Sequence, residues 1–257
     1  MLLFELVNLG VGFKKYFEIV PALTDELREH VYRIRHEVYC EELKYEPTRP
    51  DRREIDEYDR HSLHCLIRSV ANGAYVGCTR LVLARPEDPQ YPLPVEKTCA
   101  GTIDRSILDP QLLPRRMVAE ISRLAVIARY RSRKGERKSA APLNDASFGT
   151  PERPRFPYLA LGLYLGTVEL ARQHGISTLL LLTEPKLATQ LKRLGVQIRQ
   201  IGAPVEHRGT RVPSVINVAS VIDGLNFLLR PLYEVVAEEV RAGVERQRAT
   251  KDVETHV

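Results

Sequence analysis

The chain has 257 residues, of which 44% are hydrophobic, and a formal net charge of +5 at pH 7. This length is enough to bury one substantial core, so we expect a single domain over residues 1–257. The small basic excess favours acidic partners only weakly. Because aromatic side chains do not interleave with the basic ones, composition argues against nucleic-acid binding.

The cysteines and the first residues indicate the compartment. Cys40, Cys65, Cys78 and Cys99 form no C-x-x-C pair and mostly lie in or beside apolar segments, which predicts buried thiols in a reducing environment. Residues 1–13 are apolar but lack the charged start of a signal peptide and the length of a membrane span. We therefore expect a cytoplasmic protein. Contact of residues 1–13 with a membrane surface stays open.

Strands and helices interleave along the first half of the chain. Residues 15–22 are predicted to form a strand, and a helix follows with Thr24 as its N-cap. The apolar segments 63–70 and 74–84 flank Ala71-Asn72-Gly73, which is typical of a hairpin turn. The next segment, 85–105, is rich in proline and has no periodicity, so we expect a surface loop.

The second half continues this alternation. A strand is predicted within 115–130, and residues 131–155 are basic, polar and punctuated by glycine and proline, as expected of a mobile excursion. The remaining predicted elements are a helix over 157–175, a strand over 176–184, a helix over 185–195, strands over 196–202 and 212–221, and a terminal helix over 222–247 kinked at Pro231. We infer an α/β or α+β fold with a mixed, mostly antiparallel sheet flanked by helices.

Charged residues stand at unexpected places in this pattern. Arg80, Glu120 and Arg123 interrupt strands whose other residues are apolar. The acids Glu54, Asp56 and Asp59 just before the strand at 63–70 are candidate partners for Arg80, Arg123 and Arg35, since a buried charge is costly without a partner. The alternative is that the acids lie in a solvated loop and the arginines extend from strand ends into solvent.

Four segments, in this order, carry a resemblance. They are RIRHEVYCEELKYE (33–46), EIDEYD (54–59), YVGCTRLVL (75–83) and VAEISRLAV (118–126). Together they resemble the acyl-homoserine lactone synthases, the autoinducer synthase branch of the GNAT acyltransferase fold. The family's arginine and two aromatic residues match Arg35, Tyr39 and Tyr45, with tyrosines where phenylalanine and tryptophan are usual. The remaining matches are Glu54, Asp56, Asp59, Arg80, Glu120, Ser122 and Arg123.

A larger part of the chain is similar to a relative of those synthases, the acyltransferases associated with the PEP-CTERM/exosortase system. The segments YFEIVPA, DEYDRHSLHCLIR and PLPVEK belong to this resemblance. It implies a GNAT-like fold and acyl transfer from a thioester, on acyl carrier protein or coenzyme A, to an amine. No permanently bound cofactor is implied. N-acyl amino acid synthases, which use long chains, are further cousins.

One departure bears on the thioester donor. The Q/R-x-x-G-x-G/A loop, which binds the coenzyme A pyrophosphate in ordinary GNAT enzymes, is not matched around Gly135. A tight coenzyme A site is therefore disfavoured. An acidic carrier protein could instead dock on a basic set, against the alternative of a solvated loop. That set is Arg131, Arg133, Lys134, Arg137 and Lys138.

The resemblance also implies roles for the acids. A carboxylate takes the proton of the acceptor amine, and Glu54 is our first candidate and Glu120 our second. Backbone N–H groups at a strand bulge within 124–127 would stabilise the oxyanion. The arginines orient the acids or bind a substrate carboxylate, and a purely structural role is favoured more for Arg123 than for Arg35.

Other functions have weaker support in the sequence. His61 and His64 have no further ligand at metal-binding spacing, so we expect no metal site. Ser122 lacks the context of a nucleophile elbow. Two alternatives to an autoinducer-synthase-like N-acyltransferase stay open: a non-catalytic module that binds acyl carriers or lipids, and a true acyl-homoserine lactone synthase that uses S-adenosylmethionine.

Overall fold

The computed structural model describes residues 9–108, 111, 113–131, 149–150, 153–154 and 158–255. Its strands are β1 (Phe17–Pro21), β2 (Ser62–Ser69), β3 (Tyr75–Leu83), β4 (Val118–Val126), β5 (Gly149–Thr150), β6 (Arg153–Pro154), β7 (Thr178–Thr183), β8 (Ile198–Gln200), β9 (Val205–Glu206) and β10 (Thr210–Asn217). Its helices are α1 (Leu9–Tyr16), α2 (Asp25–Arg35), α3 (Pro94–Thr98), α4 (Ala128–Arg131), α5 (Tyr158–Gln173), α6 (Pro185–Arg193), α7 (Val218–Gly224) and α8 (Arg230–Thr255).

One mixed sheet organises the described residues. Its strand order is β1-β2-β3-β4-β7-β10-β8, with β9 paired to β10, and β5 pairs with β6 apart from it. Every neighbouring pair is antiparallel except β4 and β7, which run parallel. The prediction of a mostly antiparallel mixed sheet is confirmed.

Helices cover both faces of this sheet, as alternation along β3 shows. The thiol of Cys78 contacts the carbonyl of Val31 in α2, whereas the hydroxyl of the next residue, Thr79, lies 2.9 Å from that of Thr167 in α5. Successive side chains of a strand point to opposite faces. The face toward α2 is therefore distinct from the face toward α5, and Arg80, two residues after Cys78, lies on the α2 face.

The beginning of the chain differs in one respect from its sequence-based description. Thr24 caps α2 as predicted, and its hydroxyl accepts the N–H of Leu27. Lys15 and Tyr16, however, end helix α1 instead of starting β1. After Arg35 the helix continues as a π-helix, His36–Glu42, a geometry with one extra residue per turn that occurs often at functional sites.

The proline-rich segment is more than a surface loop. It contains α3, and its apolar side chains Leu93, Val95, Cys99 and Ile103 are buried in a small core with β4 and β7. Proline starts α3 because the first helical N–H needs no partner. The sequence did not predict this short helix, because the segment lacks periodicity. The helix lies on the same side of the sheet as the candidate site.

The prediction for the end of the chain needs correction. The sheet ends at Asn217, whose side chain accepts the N–H of Ser220 and caps α7. A break with Asn226 then separates α7 from α8, so residues 222–247 are not one kinked helix. Pro231 lies in the first turn of α8, where it causes no kink. The predicted stops at Gly175 and Gly195 are confirmed, since both adopt the positive φ that favours glycine.

The four cysteines are buried free thiols, as predicted. No helix in the described ranges combines the length and apolarity that crossing a bilayer requires.

Candidate active site

The core of the site is a sealed cluster around Arg35, at the junction of α2 and the π-helix. The Arg35 side chain is fully buried, and its Nε donates to Oε2 of Glu54. Its two terminal nitrogens donate to the carboxylate of Asp59, Nη1 to Oδ1 at 2.5 Å and Nη2 to Oδ2 at 3.1 Å. Such a fork matches a carboxylate geometrically and makes strong, charge-assisted hydrogen bonds. Because the Arg35 side chain is fully buried, its guanidinium is closed off from a ligand.

Arg80 extends the cluster from strand β3. Its Nη1 donates to Oδ1 of Asp56 at 2.6 Å and to Oδ1 of Asp59 at 3.2 Å, and its Nε donates to the hydroxyl of Ser122 at 3.1 Å. Asp59 also accepts the N–H of Asp56 at 2.8 Å, which folds the acidic segment into a turn. The predicted ion-pair cluster is confirmed. The opposing picture of a solvated acidic loop is wrong, because Glu54 and Asp59 are both buried.

Arg123 stands at the edge of the cluster, on a bulge of β4. Between the pairs Cys78–Ala125 and Arg80–Ser122, two residues of β4, Arg123 and Leu124, face the single residue Thr79. Arg123 has φ +52, a left-handed conformation that costs a non-glycine residue about 1 kcal/mol or more. The bulge points its guanidinium back to the acids, with Nη2 3.1 Å from Oδ2 of Asp56 and 3.2 Å from Oε1 of Glu54.

The cluster holds its acids ionised. Burial alone would raise the pKa of Glu54, but Arg35 and Arg123 outweigh burial and the net pKa is lowered. The pKa of Asp56 is likewise lowered against burial, by Arg80 and Arg123. Asp59 has its pKa held well below the usual range by Arg35 and Arg80. These carboxylates are poor proton acceptors at neutral pH, because their charge is already neutralised by arginines.

Glu120 has the opposite environment, although it lies on the same face of the sheet. It is 3% exposed, and Oε2 accepts the N–H of Val95 at 2.7 Å. Burial raises its pKa to about 8, and this hydrogen bond and the charges of Arg80 and Arg123 offset burial only in part. A carboxyl with a pKa near the working pH suits proton transfer. Among the two candidate bases, the raised pKa of Glu120 and the lowered pKa of Glu54 favour Glu120.

A cavity of about 350 Å³ opens beside Glu120. It lies where β4 and β7 separate, because their parallel register ends at Ile121–Leu181 while β4 continues to Val126. The lining combines charged, aromatic and apolar side chains. These are Tyr39, Tyr45, Pro94, Val95, Thr98, Glu120, Ile121, Ser122, Arg123, Leu124, Tyr164, Leu182, Thr183, Glu184, Lys186, Leu187, His207, Arg208 and Arg211.

Two tyrosines form one wall of this cavity. The rings of Tyr39 and Tyr45 stack with their centroids 6.4 Å apart. The hydroxyl of Tyr39 donates to the carbonyl of Leu124 at 2.9 Å, which ties the wall to the bulge of β4. Arg123 lies over the Tyr39 ring, 5.8 Å from its centroid.

The structure brings most predicted site residues together, but in two groups. Tyr39, Tyr45, Glu120, Ser122 and Arg123 line the cavity. The other group is the sealed cluster behind them, in which Arg35, Glu54, Asp59 and Arg80 are buried and the Asp56 side chain, at its edge, is 27% exposed. The sequence favoured a purely structural role more for Arg123 than for Arg35. The geometry favours the reverse, because Arg35 is enclosed and Arg123 lines the cavity.

The basic set proposed for carrier docking is not placed by the structure. Arg133, Lys134, Arg137 and Lys138 lie outside the described residues, and of Arg131 only the backbone is described. His64 is buried with both ring nitrogens unpaired, 3.8 Å from Asp59 at the nearest, and burial lowers its pKa to about 3. It is therefore a neutral residue behind the cluster.

The part of the cavity that comes from the second half of the chain was not predicted from the sequence. Glu184 and Lys186 follow β7 directly, and Arg208 and Arg211 lie where β9 turns into β10. One signal was available: Glu184 ends a buried strand, and ligands of open α/β sheets bind at the carboxyl ends of strands. Nothing in the sequence marked Arg208, whose position depends on β10 folding back along β7.

Comparisons with known proteins support the fold. A family model described as an acetyltransferase (GNAT) domain matches residues 34–139. Among curated proteins, an acyl-homoserine-lactone synthase of Rhizobium radiobacter is 24% identical over 178 residues, which are 69% of this chain and 71% of that protein.

Two solved structures illustrate the likeness. The CoA-dependent acyl-homoserine lactone synthase MesI superimposes with a TM-score of 0.54 at 22% identity, over 84% of this chain and 94% of that chain. FeeM, an N-acyl amino acid synthase from uncultured soil microbes, gives a TM-score of 0.52 at 15% identity, over 83% and 95%. The chain therefore has a GNAT-like fold, as predicted.

Proposed function

We propose that the protein is an autoinducer-synthase-like N-acyltransferase. It moves an acyl group from a thioester, on acyl carrier protein or coenzyme A, to a small-molecule amine such as an amino acid. The observation that carries the proposal is the buried carboxyl of Glu120 in the wall of the β4–β7 cavity, with a pKa of about 8. A fold by itself does not fix a function, so the site has to supply the chemistry.

The proposed reaction needs one base and one oxyanion site. The amine nitrogen attacks the thioester carbonyl carbon, a C–N bond forms and the C–S bond breaks. Glu120 takes the proton that the nitrogen loses and returns it to the departing thiolate. A carboxyl with a pKa near 8 can return the proton readily to the departing thiolate, since a thiol has a pKa of about 8.5.

We assign the oxyanion site to the backbone of β4 at the bulge. Beyond Ile121 this strand has no register with β7, so its edge borders the cavity. The carbonyl of Leu124 is held by Tyr39. Of the predicted donors within 124–127, Ile127 is already engaged, because its N–H donates to the carbonyl of Val76 at 3.0 Å. Leu124 is one of the two bulge residues opposite Thr79, so we propose its backbone N–H as the donor.

The sealed cluster has a supporting role in this proposal. Glu54 and Asp56 fix the guanidinium of Arg123, and Arg35 and Arg80 neutralise the acids behind it. Preorganised charges of this kind lose little free energy to rearrangement when a substrate binds. Glu54 then positions Arg123 and does not accept the proton.

The apolar part of the cavity suits the acyl chain. Tyr164 of α5, Leu182 of β7 and Leu187 of α6 line it. A long chain, docking of a carrier protein and a cytoplasmic location belong to the proposal. Association with the PEP-CTERM/exosortase system stays a prediction from the sequence resemblance.

Mass spectrometry of lipid extracts tests the proposal. Cells expressing wild-type protein should contain an acylated amine that cells expressing Glu120→Gln lack, since glutamine cannot accept the proton. Glu41→Gln is the matched control: Glu41 pairs with Arg52 at 3.0 Å, outside the cavity lining. The proposal is supported if the acylated amine is found with wild type and with Glu41→Gln but not with Glu120→Gln. Equal product from Glu120→Gln contradicts the assigned base.

The same extracts separate the acceptors. Similarity to the Rhizobium radiobacter synthase favours an acyl-homoserine lactone synthase as the second candidate. A lactone product would identify this activity, and an N-acyl amino acid would identify the other. If a panel of acyl donors and amines also gives no product with purified protein, a non-catalytic binding module is the better account.

A further inference from the structure

A carboxylate of the chain itself lies between two arginines of the cavity wall. Glu46, in the segment after the π-helix, pairs through Oε1 with Nη2 of Arg208. The same oxygen is 3.9 Å from Nη2 of Arg123. Arg208 belongs to the turn between β9 and β10, which is remote in sequence from Glu46. The pair therefore joins two segments at the rim of the cavity.

The two arginines are held in similar settings. The guanidinium of Arg208 lies over the Tyr45 ring, 5.5 Å from its centroid, as that of Arg123 lies over Tyr39. Because the two rings stack, the arginines flank an aromatic pair, and their side chains are 25% and 19% exposed. An aromatic face holds a guanidinium without using its hydrogen-bond donors. Stacking thus leaves the donors of Arg208 to bind an anion, whereas Nε and Nη2 of Arg123 also contact Glu54 and Asp56.

Arg208 is strained into this position. Its φ is +55, a left-handed conformation for a residue that is not glycine. Arg211 lies beside it, and its Nη2 donates to the carbonyl of Arg208 at 3.0 Å, while its Nη1 pairs with Glu184 at 2.7 Å. Strain that neighbours maintain is typical of ligand clamps.

We propose that Arg208 and Arg123 form a subsite for an oxyanion of the substrate, a carboxylate or a phosphate, and that Glu46 fills it until the substrate displaces it. This inference rests on the proposed acyl transfer, and it deepens it by adding a binding determinant from the second half of the chain. The carboxylate of Glu46 shows which chemistry fits between the two guanidiniums. An acceptor carboxylate and a donor phosphate both carry that chemistry.

Binding of small anions tests the subsite without turnover. Acetate and inorganic phosphate are compared with acetamide, the neutral analogue of acetate, by thermal shift at low ionic strength. Glu46→Gln should bind the anions about three- to tenfold more tightly than wild type, because the internal competitor is gone. Arg208→Gln should bind them at least tenfold more weakly, and Arg208→Lys should recover part of the loss. Acetamide should show no difference.

Glu41→Gln is again the control, since Arg52 has the same kind of partner and a similar φ of +54, but its pair is exposed. It should leave anion binding unchanged, and far-ultraviolet circular dichroism should show every variant folded. The subsite is overturned if Glu46→Gln and Arg208→Gln bind the anions as wild type does. Weaker binding in Glu46→Gln would also overturn it, as Glu46 would then support the arginines instead of competing.

Turnover then identifies the source of the oxyanion. If the acceptor provides it, Glu46→Gln lowers the KM for the acceptor and not for the donor; if the donor provides it, the reverse holds. Either result supports the subsite. If the wild-type protein catalyses no acyl transfer but its anion binding depends on Arg208, the proposed function is contradicted and the subsite is supported. If it catalyses acyl transfer but its anion binding does not depend on Arg208, the proposed function is supported and the subsite is contradicted.

Discussion

The sealed cluster and the cavity wall use the same residue types in contrasting ways. In the cluster, Glu54 has each oxygen paired with an arginine, and its pKa is lowered. In the wall, Glu120 accepts one backbone N–H, and burial raises its pKa to about 8. Proximity to a charged site therefore does not by itself set the direction in which the pKa of a carboxylate shifts. The balance of burial against charged partners decides which acid moves a proton.

The largest expected effect is on the wall. Glu120→Gln should lower the rate of acyl transfer by about 10²- to 10⁴-fold, which is the usual contribution of a positioned general base. The free energy of unfolding should not fall, because a neutral amide replaces a carboxyl that is mostly neutral at pH 7. Rates and urea denaturation, measured on the same preparations, check both expectations. A loss of activity that accompanies a loss of stability would count against a catalytic role.

A comparable effect of another kind is expected in the cluster. Arg35→Met removes the common partner of Glu54 and Asp59 and leaves both acids buried with fewer charges around them. We expect the free energy of unfolding to fall by about 3–5 kcal/mol, the range for breaking a buried ion pair. Urea denaturation measures it. A decrease below about 1 kcal/mol would show that the cluster is not a rigid support.

The two regions should also have opposite pH dependence. The folded state raises the pKa of Glu120, so the contribution of Glu120 to the free energy of unfolding is fully present below about pH 4.5 and is lost as pH rises toward 8. The folded state lowers the pKa of Glu54, so its contribution is present above about pH 4.5 and is lost on acidification.

Two variants separate these contributions in unfolding experiments at several pH values. Between pH 5 and 8, the free energy of unfolding of Glu120→Gln should rise relative to that of wild type by up to about 1.4 kcal/mol per pH unit. Glu54→Gln should be less stable than wild type at pH 7 and approach it below about pH 4. If the free energy of unfolding of both variants changed with pH in the same way, the distinction between the two carboxylates would be contradicted.

The smallest effect is expected outside both regions. Glu41→Gln breaks an exposed pair with Arg52, whose side chain is 70% exposed, and keeps an amide oxygen as the acceptor beside Nδ1 of His36. Such pairs contribute about 0–1 kcal/mol, and we expect a change in the free energy of unfolding within about 0.5 kcal/mol and no change in rate. A larger change would mean that the segment after the π-helix is more tightly coupled to the site than its contacts indicate.

The cluster could be predicted from the sequence because charges in apolar strands need partners. The acids near residue 54 and the arginines at 35, 80 and 123 could be matched from that argument. The turn at Gly73 and the cap at Thr24 were also predictable, because local chemistry decides them. These features depend on residues close in sequence or on simple charge pairing.

The distinction between Glu54 and Glu120 could not be read from the sequence. It depends on α3, which brings the N–H of Val95 to Glu120, and the proline-rich segment gives no periodic signal for that helix. The rim of the cavity at Arg208 depends on the antiparallel pairing of β10 with β7. Long-range pairing is set by tertiary packing, which local patterns do not specify.

The most direct test of this account is a ¹³C NMR titration of the carboxyl carbons in glutamate-labelled protein. Glu120→Gln and Glu54→Gln assign the two resonances. We expect the Glu120 resonance to titrate with a midpoint near pH 8 and the Glu54 carboxylate to stay ionised below pH 4.5. Titration of Glu120 near pH 4.5, as for an ordinary glutamate, would contradict the assignment of the proton acceptor.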